Sequence, residues 1–197
     1  MKFWIKNNLY LLTLASLCVL IYFVARWDAI SEMQRALGLF VVAITLHEWE
    51  ESRYPGGFYE LMAKKFGWND VNKETMGKAH GIVVVAIVFF AFVPFFFPSV
   101  PWLAMVPAIL GIFEAFIHVA GIWIHRLKRP YTPGMLTALL CLLPVSVWII
   151  AIAGERVGWW WFASAVYYLV VFACMELGVM KSFGTSPLQV ARSLKRG

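Results

Sequence analysis

Ala36-Leu-Gly-Leu-Phe-Val-Val-Ala-Ile-Thr-Leu46 runs without a charge and then meets His47-Glu-Trp-Glu-Glu51. As a helix, this apolar run spans about 16 Å, roughly half of what a bilayer core requires. Upstream, Ser31-x-x-Gln34 has the form of a capping box. It predicts a helix that starts near residue 31 and completes a crossing only by running through the charged motif. Ionisable groups at membrane depth mark function by default. His47, Glu50 and Glu51 stand at i, i+3 and i+4 and are expected to share one helical face, with Glu48 and Trp49 pointing elsewhere. Such a face can hold a metal ion or move a proton.

The whole composition agrees with a membrane setting. The chain of 197 residues is 61% hydrophobic and 14% charged, with a mean hydropathy of +0.74, whereas soluble domains carry about 25% charged residues. The expected fold is all-α, a single transmembrane domain over 1–197. Its six spans fall near 8–25, 29–51, 79–98, 102–125, 133–153 and 157–180, each about the length a bilayer needs. Phe97-Pro-Ser-Val-Pro101 reads as a tight uncharged turn, and Thr132-Pro133 as an N-cap followed by proline at the first helical position. Between spans two and three, Tyr54-Pro-Gly-Gly57 is a breaker. Phe58, Leu61, Met62, Lys65 and Phe66 then follow helical spacing up to Gly67, predicting a short helix on the membrane surface. The alternative there is a simple anchored loop.

The net charge of +6 does not point to nucleic acid, because the basic residues lie between and after the apolar segments. Fourteen of the seventeen Lys and Arg residues fall on one side of the bilayer: two before the first span, five from Arg53 to Lys78, three from Arg126 to Arg129 and four from Lys181 onward. Only Arg26, Arg35 and Arg156 fall on the other. Positive charge is retained inside, so both termini are expected in the cytoplasm. The first span follows Lys2 and Lys6 as a signal peptide would, but Arg26-Trp27-Asp28 offers no small-residue cleavage site, and the span reads as retained. Cys18, Cys141 and Cys174 all fall inside spans and read as packing residues, without disulfide or zinc-framework spacing.

The fourth span supplies a partner for the motif. Glu114 and His118 are again i and i+4, and Pro107, Gly111, Glu114, His118, Gly121 and His125 fall on one side of the helix. Small residues there admit another helix, which the polar groups then face. With the topology set from Lys and Arg alone, all four histidines and Glu50, Glu51, Glu114 and Glu176 converge on the cytoplasmic half.

At His47, Glu50, Glu51, Glu114 and His118, and at Tyr131-Thr-Pro-Gly134, the chain resembles a family of small bacterial membrane proteins named for a His-x-x-Glu-Glu motif. The resemblance covers most of the spans and implies a bacterial inner-membrane location, but no reaction.

Imidazole and carboxylate donors suit zinc first, and also iron or manganese. His47, His118 and one of Glu50, Glu51 or Glu114 can ligate one divalent ion, with His80 a further candidate ligand, and the number of donors also allows two ions. A carboxylate left over, Glu50 or Glu51, would act as general base on water activated by the metal. The spacing is not the His-Glu-x-x-His of soluble metalloproteases, since Glu51 stands at the second histidine position. Four histidines are too few for a membrane desaturase, and Glu114 and His118 are one residue further apart than in bundle-type di-iron motifs. A hydrogen-bonded structural network and a metal-free proton relay are the competing readings of the cluster. His80 reads equally as an interfacial histidine, His125 as interfacial, Glu176 as ligand or helix-pairing residue, and Glu48 as a supporting or solvated group. The functional expectation is a metal-dependent hydrolase acting on a lipid or other amphiphile from the cytoplasmic leaflet. The alternatives are a metal- or proton-coupled transporter and a membrane oxidoreductase or isomerase. The bilayer and an amphiphilic small molecule are the expected partners; oligomeric state is left open.

Overall fold

The computed structural model describes residues 2–68 and 70–195, and of Lys2, Glu155 and 193–195 the backbone alone. Arg196, counted above among the cytoplasmic charges, lies outside them. Helices α1 (Lys2–Ala25), α2 (Glu32–Ser52) and α3 (Phe58–Phe66) come first. Then come α4 (Lys73–Phe96) and α5 (Pro101–Ile124). Met135–Thr137, a π turn at Ala138–Leu142 and Leu143–Val157 form one continuous helix, α6. Helices α7 (Trp161–Ser182) and α8 (Pro187–Lys195) complete the chain. No strand occurs among the described residues.

Five segments are long and apolar enough to cross a membrane: Phe3–Ala25, Lys73–Phe96, Pro101–Ile124, Met135–Gly154 and Gly158–Ser182. Helix α2 is as long as these but carries Glu32, Arg35, Glu48, Glu50 and Glu51, and it is not among them. The six long helices close a ring in which each packs on two neighbours, in the order α1, α2, α6, α5, α7, α4 and back to α1. Large apolar side chains such as Phe116, Trp123, Leu140 and Phe162 point outward and are exposed. A soluble protein rarely leaves so much apolar surface in water.

Local chemistry explains where the helices start and bend. The Ser31 hydroxyl accepts the Gln34 N–H at 3.1 Å and caps α2, but Gln34 does not close the capping box. Its side-chain amide donates instead to the Phe95 carbonyl of α4 at 3.4 Å. A complete capping box, Asn72 with Thr75, opens α4. That box starts the helix at Lys73, ahead of the expected 79, so His80 sits inside the helix and does not open it. Thr132 does not cap α6 either, because its hydroxyl is committed to the His118 carbonyl at 3.0 Å. Pro94 and Pro144 lack the N–H that an α-helix needs and crowd the carbonyl one turn back. In both helices the ladder widens to a π turn just before the proline, at Val88–Phe92 and Ala138–Leu142. The Tyr167 hydroxyl of α7 donates to the Phe89 carbonyl within the first of these turns at 3.1 Å.

Phe40, Leu37, Phe90, Phe95, Met105, Leu142 and Ile149 fill the interior. Helices α5 and α6 meet at Gly111, where an added Cβ would collide with the Ser146 hydroxyl and lie 3.0 Å from the Phe40 ring and 3.1 Å from the Leu142 carbonyl. Gly111→Val is therefore expected to lower stability by about 1–3 kcal/mol through overpacking. Gly154→Ala, whose new methyl meets only Ile150 at an ordinary 3.8 Å, should change it little. Thermal unfolding of both variants in detergent, followed by circular dichroism, checks the contrast.

Candidate metal centre

The last turns of α2 bury His47, Glu48, Glu50 and Glu51 together, a combination that survives only if each group finds a partner. The four side chains find theirs on three different neighbours. His47 and Glu51, one helical turn apart, face Glu114 and His118 on α5. His47 Nε2 lies 3.6 Å from Glu51 Oε1 and 3.8 Å from Glu114 Oε2. His118 Nε2 lies 3.1 Å and 3.6 Å from the same two carboxylates. One donor atom from each of these four residues falls within 4.8 Å of all the others.

The outer ring nitrogens are held from behind. His47 Nδ1 contacts the Gly134 carbonyl at 3.0 Å and the Thr137 hydroxyl at 3.1 Å. The carbonyl only accepts, so it fixes a proton on Nδ1 and turns Nε2 toward the carboxylates. His118 Nδ1 lies 3.1 Å from Thr132 Oγ1, and that hydroxyl's own proton goes to the His118 carbonyl. His118 therefore also carries its proton on Nδ1 and turns Nε2 to the carboxylates. That atom is buried and makes no hydrogen bond, although two carboxylates flank it. Two imidazole nitrogens and two carboxylates converging on one point need a cation or protons between them, and histidines oriented through the far nitrogen are the usual support of a metal site. The donor set thus fits a divalent ion.

Glu50 and His80 do not join this group. The expected common face splits because α6 draws Glu50 away. Its carboxylate accepts from the Tyr131 hydroxyl (2.7 Å), the Leu136 N–H (3.1 Å) and both the N–H and hydroxyl of Thr137. It thereby caps the start of α6, where carboxylate charge is favoured. Burial, then the bond to Glu50, raises the pKa of the Tyr131 phenol, so the hydroxyl keeps the proton it donates. His80 pairs instead with Glu48 at 3.0 Å, and its Nδ1 meets Asn8 Oδ1 at 2.6 Å. Asn8 in turn donates to the Gly77 carbonyl, so this second buried chain ties α2 to α4 and α1. Trp49 donates to Thr13 Oγ1 of α1 at 2.8 Å.

A cavity of about 420 Å³ opens from the four-residue group, and Glu48, Glu176 and His125 also line it. Its remaining wall is largely aromatic and aliphatic, drawn from α2, α3, α4, α5 and α7. Thr132, Gly134 and Thr137 escape a reading for ionisable residues, since a hydroxyl and a backbone carbonyl carry no charge signal. Only the family resemblance at Tyr131-Thr-Pro-Gly134 touched Thr132 and Gly134, and nothing singled out Thr137.

A family model described as "Protein of unknown function with HXXEE motif" matches residues 38–149, more than half of the chain. The chain belongs to the HXXEE family. The matched segment holds His47, Glu50 and Glu51 of the HXXEE motif together with Glu114, His118 and the loop from Tyr131 to Thr137. No curated protein and no solved structure matches the chain.

Gly134 forms the wall of the HXXEE site. It has φ 96°, and an added Cβ would lie 2.6 Å from His118 Cε1 and 2.8 Å from Glu51 Cγ. Gly57 has the same φ with nothing within 4 Å. Gly57→Ala should cost only the backbone term of about 1–2 kcal/mol. Gly134→Ala should cost about 1–3 kcal/mol beyond that, from the clash. Paired thermal unfolding curves give the difference.

Proposed function

We propose that the protein is a membrane-embedded metalloenzyme, a metal-dependent hydrolase acting on a lipid or other amphiphile. The observation that carries this reading is the convergence of His47, Glu51, Glu114 and His118 at the head of an apolar cavity, with both imidazoles oriented through their far nitrogens. In this reading His47, His118 and Glu51 hold one divalent ion, zinc favoured, with iron or manganese also suited to the donors. The ion would supply Lewis-acid polarisation of a scissile carbonyl or phosphoryl group and acidify a nearby water. Glu114 is the more exposed of the two carboxylates, its side chain 18% accessible against 11% for Glu51. It takes the proton of the attacking water and passes it to the leaving group, so that water adds across one ester, amide or phosphoester bond. Glu50 positions the site by anchoring the loop that carries Gly134.

The same reading sets the molecule in a bilayer as one domain, with α2 as the sixth crossing. Its buried charges face other helices and avoid lipid. Helix α3 lies along the inner surface beside α8. Trp159, Trp160 and Trp161 are exposed at the opposite end of the bundle and form an aromatic belt at the outer interface. Lys and Arg gather at the site end, which supports a setting with the termini and the cavity on the cytoplasmic side of a bacterial inner membrane. A metal- or proton-coupled carrier is the second reading. It is favoured by the paired π turns before Pro94 and Pro144, since broken helices are common in carriers. Neither helix separates into halves here, so the enzyme reading stands first.

Elemental analysis of protein purified without chelator tests the proposal. The wild type should carry about one equivalent of metal. His47→Ala and Glu51→Ala should lose it, and Glu114→Gln should keep most of it. Thr132→Val should weaken metal affinity about 10- to 100-fold by freeing the His118 ring. A metal-free wild type would defeat the metalloenzyme reading. Ion flux into proteoliposomes abolished by Glu114→Gln would favour the carrier.

A further inference from the structure

Helices α5 and α7 start side by side and are joined along their first halves. The Ser164 hydroxyl donates to the Trp102 carbonyl at 2.6 Å, the Trp102 and Tyr167 rings lie 6.1 Å apart, and Phe113 meets Phe172 edge to face at 5.2 Å. Beyond that last pair, no ring contact, hydrogen bond or ion pair joins the two helices among the described residues. Both line the cavity instead, α5 with Ile117, Gly121 and Ile124 and α7 with Met175, Glu176 and Met180.

Two glycines account for the divergence. At Gly121 an added Cβ would lie 3.1 Å from Thr132 Cγ2, so α5 is drawn against the segment that leads into α6. At Gly178 it would lie 3.1 Å from Ile82 Cγ2, so α7 is drawn against α4. Small residues of this kind hold a membrane helix close to the neighbour they face. The two helices thus lean to opposite sides, and space opens between them over about 16 Å, the rise from Phe113 to Ile124. That is about half of a bilayer core of roughly 30 Å.

The two ways out of this space differ. At the end of the bundle, α3 lies across it. The Phe58 ring is 5.9 Å from the His118 ring of α5, and the rings of Tyr59 and Trp68 pack at 5.7 and 4.3 Å on Phe183, the residue that follows α7. Leu61, Met62 and Phe66 complete this floor of the cavity. On the flank no element intervenes. Ile124 lines the cavity and is nonetheless 36% exposed, so the cavity reaches the outer surface of the bundle there. Phe116 and Trp123 on α5 and Leu177 on α7 are exposed around it. Helix α5 has no Lys or Arg, and α7 has none before Lys181. An apolar rim of this kind is suited to hydrocarbon and not to water.

We infer that the cavity opens sideways into the inner leaflet, between α5 and α7 beyond Phe113 and Phe172, and admits an acyl chain of a bilayer lipid by that route. This deepens the hydrolase reading and rests on it. The substrate is then a lipid drawn from the leaflet, while α3 shuts the site from the cytoplasm.

Photo-crosslinking in nanodiscs tests the route without turnover, so its outcome is separate from the metal analysis. The probe is phosphatidylcholine carrying a diazirine midway along one acyl chain, and adducts are located by tandem mass spectrometry. They should appear on the lining residues Ile117, Met175, Glu176 and Met180 as well as on the outward Phe116 and Leu169. Ile124→Trp, which fills the mouth, should remove most of the lining adducts and keep the outward ones, which also report an intact bundle. Met180→Trp, on the opposite lip, repeats the test should Ile124→Trp not fold, and Leu169→Trp, on the outward face, should change neither set. Adducts confined to outward residues, lining adducts undiminished by both mouth variants, or lining adducts on α3 alone would each overturn the inference. Metal bound in the wild type with no lining adducts would leave the hydrolase reading standing and remove this one. Lining adducts in a protein that carries no metal would do the reverse.

Discussion

The structure depends on how the buried charges of one helical segment are satisfied. His47, Glu48, Glu50 and Glu51 are all withdrawn from solvent at the end of α2, and an isolated ion in such a place costs several kcal/mol. The segment meets this demand by dividing its side chains among different neighbours. His47 and Glu51 face α5, Glu50 caps α6, Glu48 pairs with His80 of α4, and Trp49 between them bonds to α1. Four other helices are thereby registered against α2. The polar core and the packing of the bundle are one problem with one solution, and the HXXEE motif is where both meet.

The division of labour within the motif has a chemical logic. Glu50 accepts four hydrogen bonds, which leaves its carboxylate little freedom to ligate or to move a proton. Its service is mechanical: it fixes the start of α6 and, through it, the Gly134 carbonyl that orients His47. Glu51 and Glu114 face the Nε2 atoms of His47 and His118. Groups so placed could hold a metal ion. The fold thus turns adjacent glutamates to different neighbours, Glu50 to the start of α6 and Glu51 to the His/Glu group on α5.

Much of this was legible in the residues. Hydropathy located the apolar segments, and the spacing of His47 with Glu51 and of Glu114 with His118 identified the pairs that the fold brings together. Helix α3 formed over Phe58–Phe66 with Gly67 as its cap, as its spacing predicted. What periodicity could not show was direction. Residues 47, 50 and 51 share a face on an ideal wheel, yet Glu50 and Glu51 are far enough apart in angle for one to reach α6 and the other α5. That choice belongs to tertiary contacts. His80 looked like a helix opener because the apolar run begins beside it, whereas the capping box at Asn72 adds a polar turn in front of it. Its pairing with Glu48 joins residues 32 apart, and its bond to Asn8 joins residues 72 apart. No local pattern encodes either. The supporting hydroxyls of Thr132 and Thr137 were invisible for a related reason: a threonine is common in any helix or turn, and only position makes it a partner for a ring nitrogen.

X-ray absorption at the metal edge of protein purified without chelator tests the central claim most directly. The account predicts a bound divalent ion with two imidazole nitrogens at about 2.0–2.1 Å and carboxylate oxygen at a similar distance, and a metal signal lost in His118→Ala. A sample without metal, or a coordination shell with no imidazole, would contradict it.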